Sequence, residues 1–315
     1  MVSPSLALKR SLALLFFSCF SGCATYVQET MRIRWNFYDQ KYEESLKLLE
    51  ESPLKHEKKN KLLFNLEKAM ILDRMGELKR SREHLLIAEK TIDDLYTLSL
   101  SKTAASFALN ESTTDYEGEL FEKVYVHTLL ALSFLEDQNL SGARIEARKI
   151  NNRLYAWTQN LGKSNNSYKK DGLALYLSGI IFEKSEDLDD ALIDYRKALK
   201  IYESPKYKRF YLGSTPHHMV EALYRLALKK SRLSIVNQIK SAYPAIAENI
   251  HKELAENKPF GEVIIIHETG HIATKVAKDF FVNTGVQILR FSFPHIPRNH
   301  FPRWEKTGLE LEASA

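Results

Sequence analysis

The chain has 315 residues, 44% of them hydrophobic and 27% charged, with 12 Gly, 9 Pro and 2 Cys. That is an ordinary globular balance, sufficient for one elongated array or about two domains, and sparse Gly and Pro beside abundant Leu, Glu and Lys favour helix. The formal charge of +5 falls to +3 without Lys9 and Arg10, the only charged residues in the first 23. So small an excess, interspersed with acids, reads as a solvated helical surface and excludes a dedicated nucleic-acid interface.

The N-terminal stretch MVSPSLALKRSLALLFFSCFSGC begins with a short basic region, Lys9-Arg10. An apolar run, Leu12 to Phe20, follows and is too short to cross a bilayer. This is the pattern of a signal peptide over 1–22. Small residues directly before Cys23 resemble a bacterial lipobox, although Phe20 stands where Leu is usual. The resemblance implies cleavage before Cys23, a diacylglycerol on its thiol and further acylation with palmitate-type chains. The alternative is an ordinary cleaved peptide that leaves one odd thiol, which lipidation would explain. Cys19 leaves with the leader, so no disulfide is expected in the mature fold. Ala24 in place of Asp favours the outer membrane by analogy with enteric sorting.

Residues 23–37 read as a lipidated N-terminus and linker, and 38–250 as a helical repeat domain. The clearest repeat is LALYLSGIIFEKSEDLDDALIDYRKALKIYESP, 173–205. Gly179 and Phe182 take the Gly and Tyr positions of a tetratricopeptide first helix. Leu188 follows a polar turn, and Ala191, Tyr195 and Ala198 give the second-helix rhythm. Small residues allow two helices of a hairpin to approach, and larger ones fill the grooves between hairpins. Weaker copies lie at 69–90 and 129–150; 38–51 looks like the tail of a first hairpin; 216–243 makes a fifth, closed by Pro244. The equivalent small positions Ser45, Ser81, Ala143 and Ala191 are separated by 36, 62 and 48 residues. Two polar insertions are therefore expected, at 99–119 and 158–172, in loops of the kind that bind partners. Tyr155, Trp157 and Tyr168 near the second insertion read first as inter-helix packing and second as a binding platform. His217-His218, after Pro216, reads as solvated capping.

Four phrases resemble an uncharacterised family of bacterial lipoproteins with tetratricopeptide-like repeats. They are the lipobox, YEGELFEKVYVHTLLALSFLEDQNLSGARIEARKINNRL (116–154), LALYLSGIIFEKSEDLDDALIDYRKAL (173–199) and GEVIIIHETG (261–270). The resemblance implies a cell-envelope location, helices followed by a small strand-rich part, and no established enzymatic activity. Within the second phrase, Glu119, Glu122, His127, Glu146 and Arg148 fall on neighbouring helices. The favoured reading is that they pair across the seam and fix register; the other is a binding groove or an acid–base cluster.

The region 259–304 is expected to be small and strand-rich, with a tail at 305–315. It contains His267-Glu268-Thr269-Gly270-His271, which fits the H-E-x-x-H pattern. On a helix that pattern supplies two zinc ligands, His267 and His271, and a general base, Glu268. Glu262 to Ile266, with four β-branched residues after Pro259-Phe260-Gly261, reads instead as a buried strand, Gly270 as a turn, and GVQILRFSFP as a second strand. Against that, Ile272, Val276 and Phe280, with Ala273, Ala277 and Phe281, recur at helical spacing. The long metalloprotease signature would need Gly and His where Thr274 and Ala277 stand. The family's phrase at this point resembles strand-His-Glu-Asn-Gly, without the second histidine.

The expectation is thus a mainly α, tetratricopeptide-like solenoid of about five hairpins with a small C-terminal β-containing part. It would be anchored at the bacterial membrane through acyl chains on Cys23. The function would be that of a scaffold binding an unidentified envelope protein, without cofactor. The alternative is a zinc-dependent hydrolase built on HETGH.

Overall fold

A computed structural model describes residues 26–101, 115–160, 171–205, 207, 215–256, 263–266, 276–283 and 288–295. Among them are 11 α-helices, taken in chain order as α1 (Tyr26–Tyr38), α2 (Tyr42–Glu51), α3 (Lys61–Arg74), α4 (Leu78–Ser101), α5 (Leu120–Glu136), α6 (Leu140–Asn160), α7 (Gly172–Lys184), α8 (Leu188–Tyr202), α9 (His217–Lys229), α10 (Leu233–Ala242) and α11 (Pro244–Glu256). Two units divide the chain, one up to Lys149 and one from Ile150, so the division falls inside α6.

The first ten helices form five helix–turn–helix pairs with one repeated turn. The residue two before each second helix has positive φ: Gln40 (61°), Gly76 (75°), Gln138 (56°), Glu186 (62°) and Ser231 (52°). The next amide reaches back five residues in every case: Lys41 to Asn36, Glu77 to Leu72, Asn139 to Phe134, Asp187 to Phe182 and Arg232 to Ala227, at 2.8–2.9 Å. This is the Schellman arrangement, which satisfies the last carbonyls of the first helix and reverses the chain in three residues. Four of the five left-handed positions lack the glycine that favours them.

Three residues into each second helix stands a buried residue: Ser45, Ser81, Ala143, Ala191 or Val236. Ser45 Oγ donates to Ile33 O and Ser81 Oγ to Ala69 O, both at 2.9 Å and both twelve residues back. The two serines thus take the small-residue position while giving their hydroxyls a backbone acceptor. In the fourth pair the close approach is made by Gly179, where an added Cβ would lie 2.5 Å from Tyr195 Cδ1. Tyr195 is buried and donates its hydroxyl to Glu183 Oε2 at 2.7 Å.

Two expectations about boundaries change. Residues 26–38 are helical, and Ile33 packs with Leu49, Leu54 and Ile71, so most of the stretch read as a linker is the first helix of the first pair. The exposed apolar residues Met31, Trp35 and Tyr38 hid this, because with them the sequence lacks the one-sided pattern of a surface helix. The helices also run past 250: Pro244 follows the end of the fifth pair at Ala242, as expected, and is itself the first residue of α11, where its missing N–H costs nothing and from which the helix continues to Glu256.

Towards the C-terminus, β1 (Val276–Asn283) and β2 (Ile288–His295) pair antiparallel, with Phe280 opposite Phe291. This replaces the helical spacing of 276–281. Among the described residues of 259–304 this ladder is the strand structure, and a two-stranded ladder is marginal on its own. Val263–Ile266, read as a buried strand, is neither strand nor helix, and all four residues are exposed. A β-branched run is a strand only where a partner accepts its backbone, and among the described residues none does.

Candidate functional site

The buried ionisable groups of the first unit converge where α4, α5 and α6 meet. Glu146 on α6 and His127 on α5 are almost fully buried and hydrogen-bonded, Nδ1 to Oε2 at 2.8 Å. The carboxylate accepts, so Nδ1 carries the proton. Lys149, one helical turn beyond Glu146, donates to Glu146 Oε1 at 2.9 Å and to Glu89 Oε1 on α4 at 2.7 Å. Burial alone would push the Glu146 carboxyl up, but the hydrogen bonds from His127 and Lys149 outweigh it and hold the carboxyl below the usual range. Burial likewise opposes the Lys149 charge, and the two carboxylates reverse that and raise it.

Ligand atoms of Glu89, His127 and Glu146 lie within 4.8 Å of one another, close enough to hold a cation. The donor set would suit a divalent metal. However, the Lys149 ammonium already bonds both carboxylates, so a metal would have to displace a matched positive charge. Chemically the arrangement is a closed charge network that joins three helices.

The second unit repeats it in weaker form. Asp194 stands three residues after Ala191, as Glu146 does after Ala143, and Lys197 stands three further on, as Lys149 does. Lys197 donates to Asp194 Oδ1 at 3.1 Å and to Asn151 Oδ1 at 2.7 Å, and Asn151 Nδ2 also donates to Asp194. Asn151 follows Ala143 by the eight residues that separate Glu89 from Ser81. Here Leu175 replaces the histidine, and burial prevails, raising the Asp194 carboxyl. His84, at the matching place on α4, bonds Asn65 at 2.8 Å, again nineteen residues back.

The remaining sequence candidates separate. Glu119 and Glu122 form a capping box at the start of α5: Glu119 N–H donates to Glu122 Oε2 at 2.7 Å, and the Tyr116 hydroxyl donates to the same oxygen at 2.6 Å. Burial raises the Glu122 carboxyl. Arg148 is exposed on α6, and the cation that reaches Glu146 is its neighbour Lys149. Sequence reading missed Lys149 and Glu89, although equal offsets from Ala143 and Ala191 would have pointed to Lys149. His217 and His218 open α9, with His218 Nδ1 3.3 Å from Glu221 Oε2. Tyr155 is exposed. Cys23, His267, Glu268, His271 and Tyr168 lie outside the described residues, as does the side chain of Trp157.

No family model and no curated protein matches the chain in sequence. Several solved structures are similar in shape. One is BtubC (BKLC) from P. vanneervenii, at 14% identity and TM-score 0.44, covering 84% of this chain and 96% of that one. Another is aspartyl phosphate phosphatase F from Bacillus subtilis, at 14% identity and TM-score 0.44, covering 73% of this chain but 53% of that one. A third is a Podospora anserina kinesin light chain protein with nearly identical TPR-like repeats, at 10% identity and TM-score 0.43, covering 76% and 99%.

Proposed function

We propose that the chain is a scaffold of the bacterial envelope, lipid-anchored through Cys23 at the outer membrane, that uses its helical hairpins to bind another protein. The observation that carries this reading is the turn repeated five times. An array of hairpins closed by the same hydrogen bonds presents side chains from rigid helices, so binding orders few protein groups. Exposed Ile145 and Ile193, each two residues after the small position of its second helix, are candidate contacts. The buried Glu89–His127–Glu146–Lys149 network serves the array by fixing how α4, α5 and α6 meet. A small β-containing C-terminal part remains within the proposal, as do partners among envelope proteins.

No described residue favours the zinc hydrolase. The residues on either side of 267–271 that the structure describes, 263–266 and 276–283, are not helical, and helical spacing is what would align His267 with His271.

Two measurements test the proposal. Radiolabelled palmitate should enter the wild-type chain and not Cys23→Ser; equal labelling would remove the anchor. A photo-crosslinking residue at position 145 or 193 should give one discrete adduct in intact cells, and the same probe at exposed Lys200 none. Adducts that are absent or equally diffuse at all three positions would count against a defined binding face.

A further inference from the structure

We propose that α1 lies on the lipid surface next to its own anchor, with Met31, Trp35 and Tyr38 embedded in the headgroup region. This inference rests on the reading of Cys23 as the lipidated residue.

Helix α1 carries two apolar faces. Ile33 and Phe37 pack into the core formed with Leu49, Leu54 and Ile71, which fixes the rotation of the helix. On another face stand Met31, Trp35 and Tyr38, spaced i, i+4 and i+7, and all three are exposed, Trp35 by 68%. Arg32, also exposed, borders the stripe. A helix that must expose a Trp, a Tyr and a Met side by side has a surface to put them against.

Covalent reach decides which surface. Tyr26, the first residue of α1, follows Cys23 by three positions. An extended chain covers at most about 3.6 Å per residue, so the helix begins within about 11 Å of an acylated Cys23. At 1.5 Å rise per residue the stripe occupies about 10 Å of helix, beginning less than two turns from that end. Any bilayer that holds the acyl chains therefore lies within reach of all three side chains. Trp and Tyr are the residues that settle at a membrane–water interface, because their rings are apolar and their N–H and O–H groups remain in the headgroup layer. Embedding adds a second attachment to the lipid chains and sets how the first hairpin stands on the membrane.

The test uses the full lipidated chain in vesicles of phosphatidylethanolamine and phosphatidylglycerol carrying a brominated phosphatidylcholine. Trp35 is read as the difference in emission between wild type and Trp35→Phe, a change at an exposed position. Bromine at the carboxyl end of the acyl chain should quench that emission roughly twofold more than bromine at the methyl end, the pattern for a ring about 5–10 Å into the interface. Flotation of wild type but not of Cys23→Ser reports the anchor separately. Protein that floats with Trp35 unquenched would overturn the inference and leave the anchor standing. Protein that does not float, or a Cys23→Ser chain that floats equally, would overturn the anchor and the inference together.

Discussion

Replacing Glu146 by Leu removes the acid that hydrogen-bonds both His127 and Lys149, and leaves Glu89 Oε1 4.0 Å from His127 Nδ1. His127 Nδ1 then loses its 2.8 Å hydrogen bond, while Lys149 keeps its bond to Glu89. Breaking a buried, hydrogen-bonded charge pair from one side costs about 3–5 kcal/mol. The Lys149 side chain is 36% exposed, so its share is screened by water. Leu also returns some apolar burial. We therefore expect a loss of about 3 kcal/mol, with most of it on the His127 side. In the double variant His127→Leu/Glu146→Leu, no buried polar group is stranded between the two positions. It should be less destabilised than the sum of the singles by about 1–3 kcal/mol.

The pH dependence follows from the direction of each shift. The Glu146 carboxyl is held below its unfolded value of 4.5, so its contribution is complete above that pH and is lost as pH falls through the lower folded value. Lys149 is raised above 10.5, so its contribution is complete below that pH and is lost as pH rises through the folded value. The part of the gap between wild type and Glu146→Leu that comes from the Glu146 carboxylate should close on acidification. Urea unfolding followed by circular dichroism gives the global figure, and native-state hydrogen exchange at amides of α5 and α6 gives the local one. If Glu146→Leu came within about 0.5 kcal/mol of wild type, or the double variant matched the sum of the singles, the network would not be coupled as described.

At Gly76 nothing lies within 4 Å of an added Cβ, so Gly76→Ala should cost about 1 kcal/mol through its φ of 75° alone. Conversely, Glu186→Gly, at φ 62°, should raise the melting temperature by relieving the same strain, and a fall would refute the turn assignment. Gly179→Ala should lose about 1–3 kcal/mol, because a methyl there meets the buried Tyr195 ring. Tyr195→Leu in the same chain should recover part of that loss in thermal unfolding, since it removes the obstructing ring. Elemental mass spectrometry should find well under one zinc per chain, unchanged by His271→Ala; near one zinc, lost in that variant, would revive the hydrolase.

What could be read in advance depended on whether one residue or a set of neighbours decides the outcome. Ala191, Tyr195 and Gly179 announced their hairpin because close approach demands small residues at fixed spacing and a large one to fill the gap. Ser45 and Ser81 were placed by the same spacing, while their hydroxyl bonds to Ile33 O and Ala69 O needed the geometry. The left-handed turn residues went unnoticed because Gln, Glu and Ser carry no preference for positive φ. The helix from Tyr26 was missed for the opposite reason: its outward face is apolar, so the sequence lacks the one-sided pattern that marks a surface helix. Of five polar candidates the structure pairs His127 with Glu146 in the network and Glu119 with Glu122 in a separate capping box, and the cation it brings to Glu146 is Lys149.

The recurrence of the network says what kind of constraint it meets. A charge pair of this type in a core is, on average, no better for stability than well-packed apolar residues of the same size. Its advantage is that it fails when shifted: Lys149 reaches Glu146 and Glu89 together only if α6 sits in one axial position against α4. Apolar grooves between helices tolerate sliding far more readily, since one ridge resembles the next. The second unit keeps the acid, the lysine and the acceptor eight residues past the small position, yet it drops the histidine and exchanges a carboxylate for the Asn151 amide. What both units keep is the pair of hydrogen bonds from one lysine, one within its own helix and one to the helix of the preceding hairpin. That shared part is what sets register, whereas the histidine, present in only one unit, adds burial and strength to a latch already defined without it.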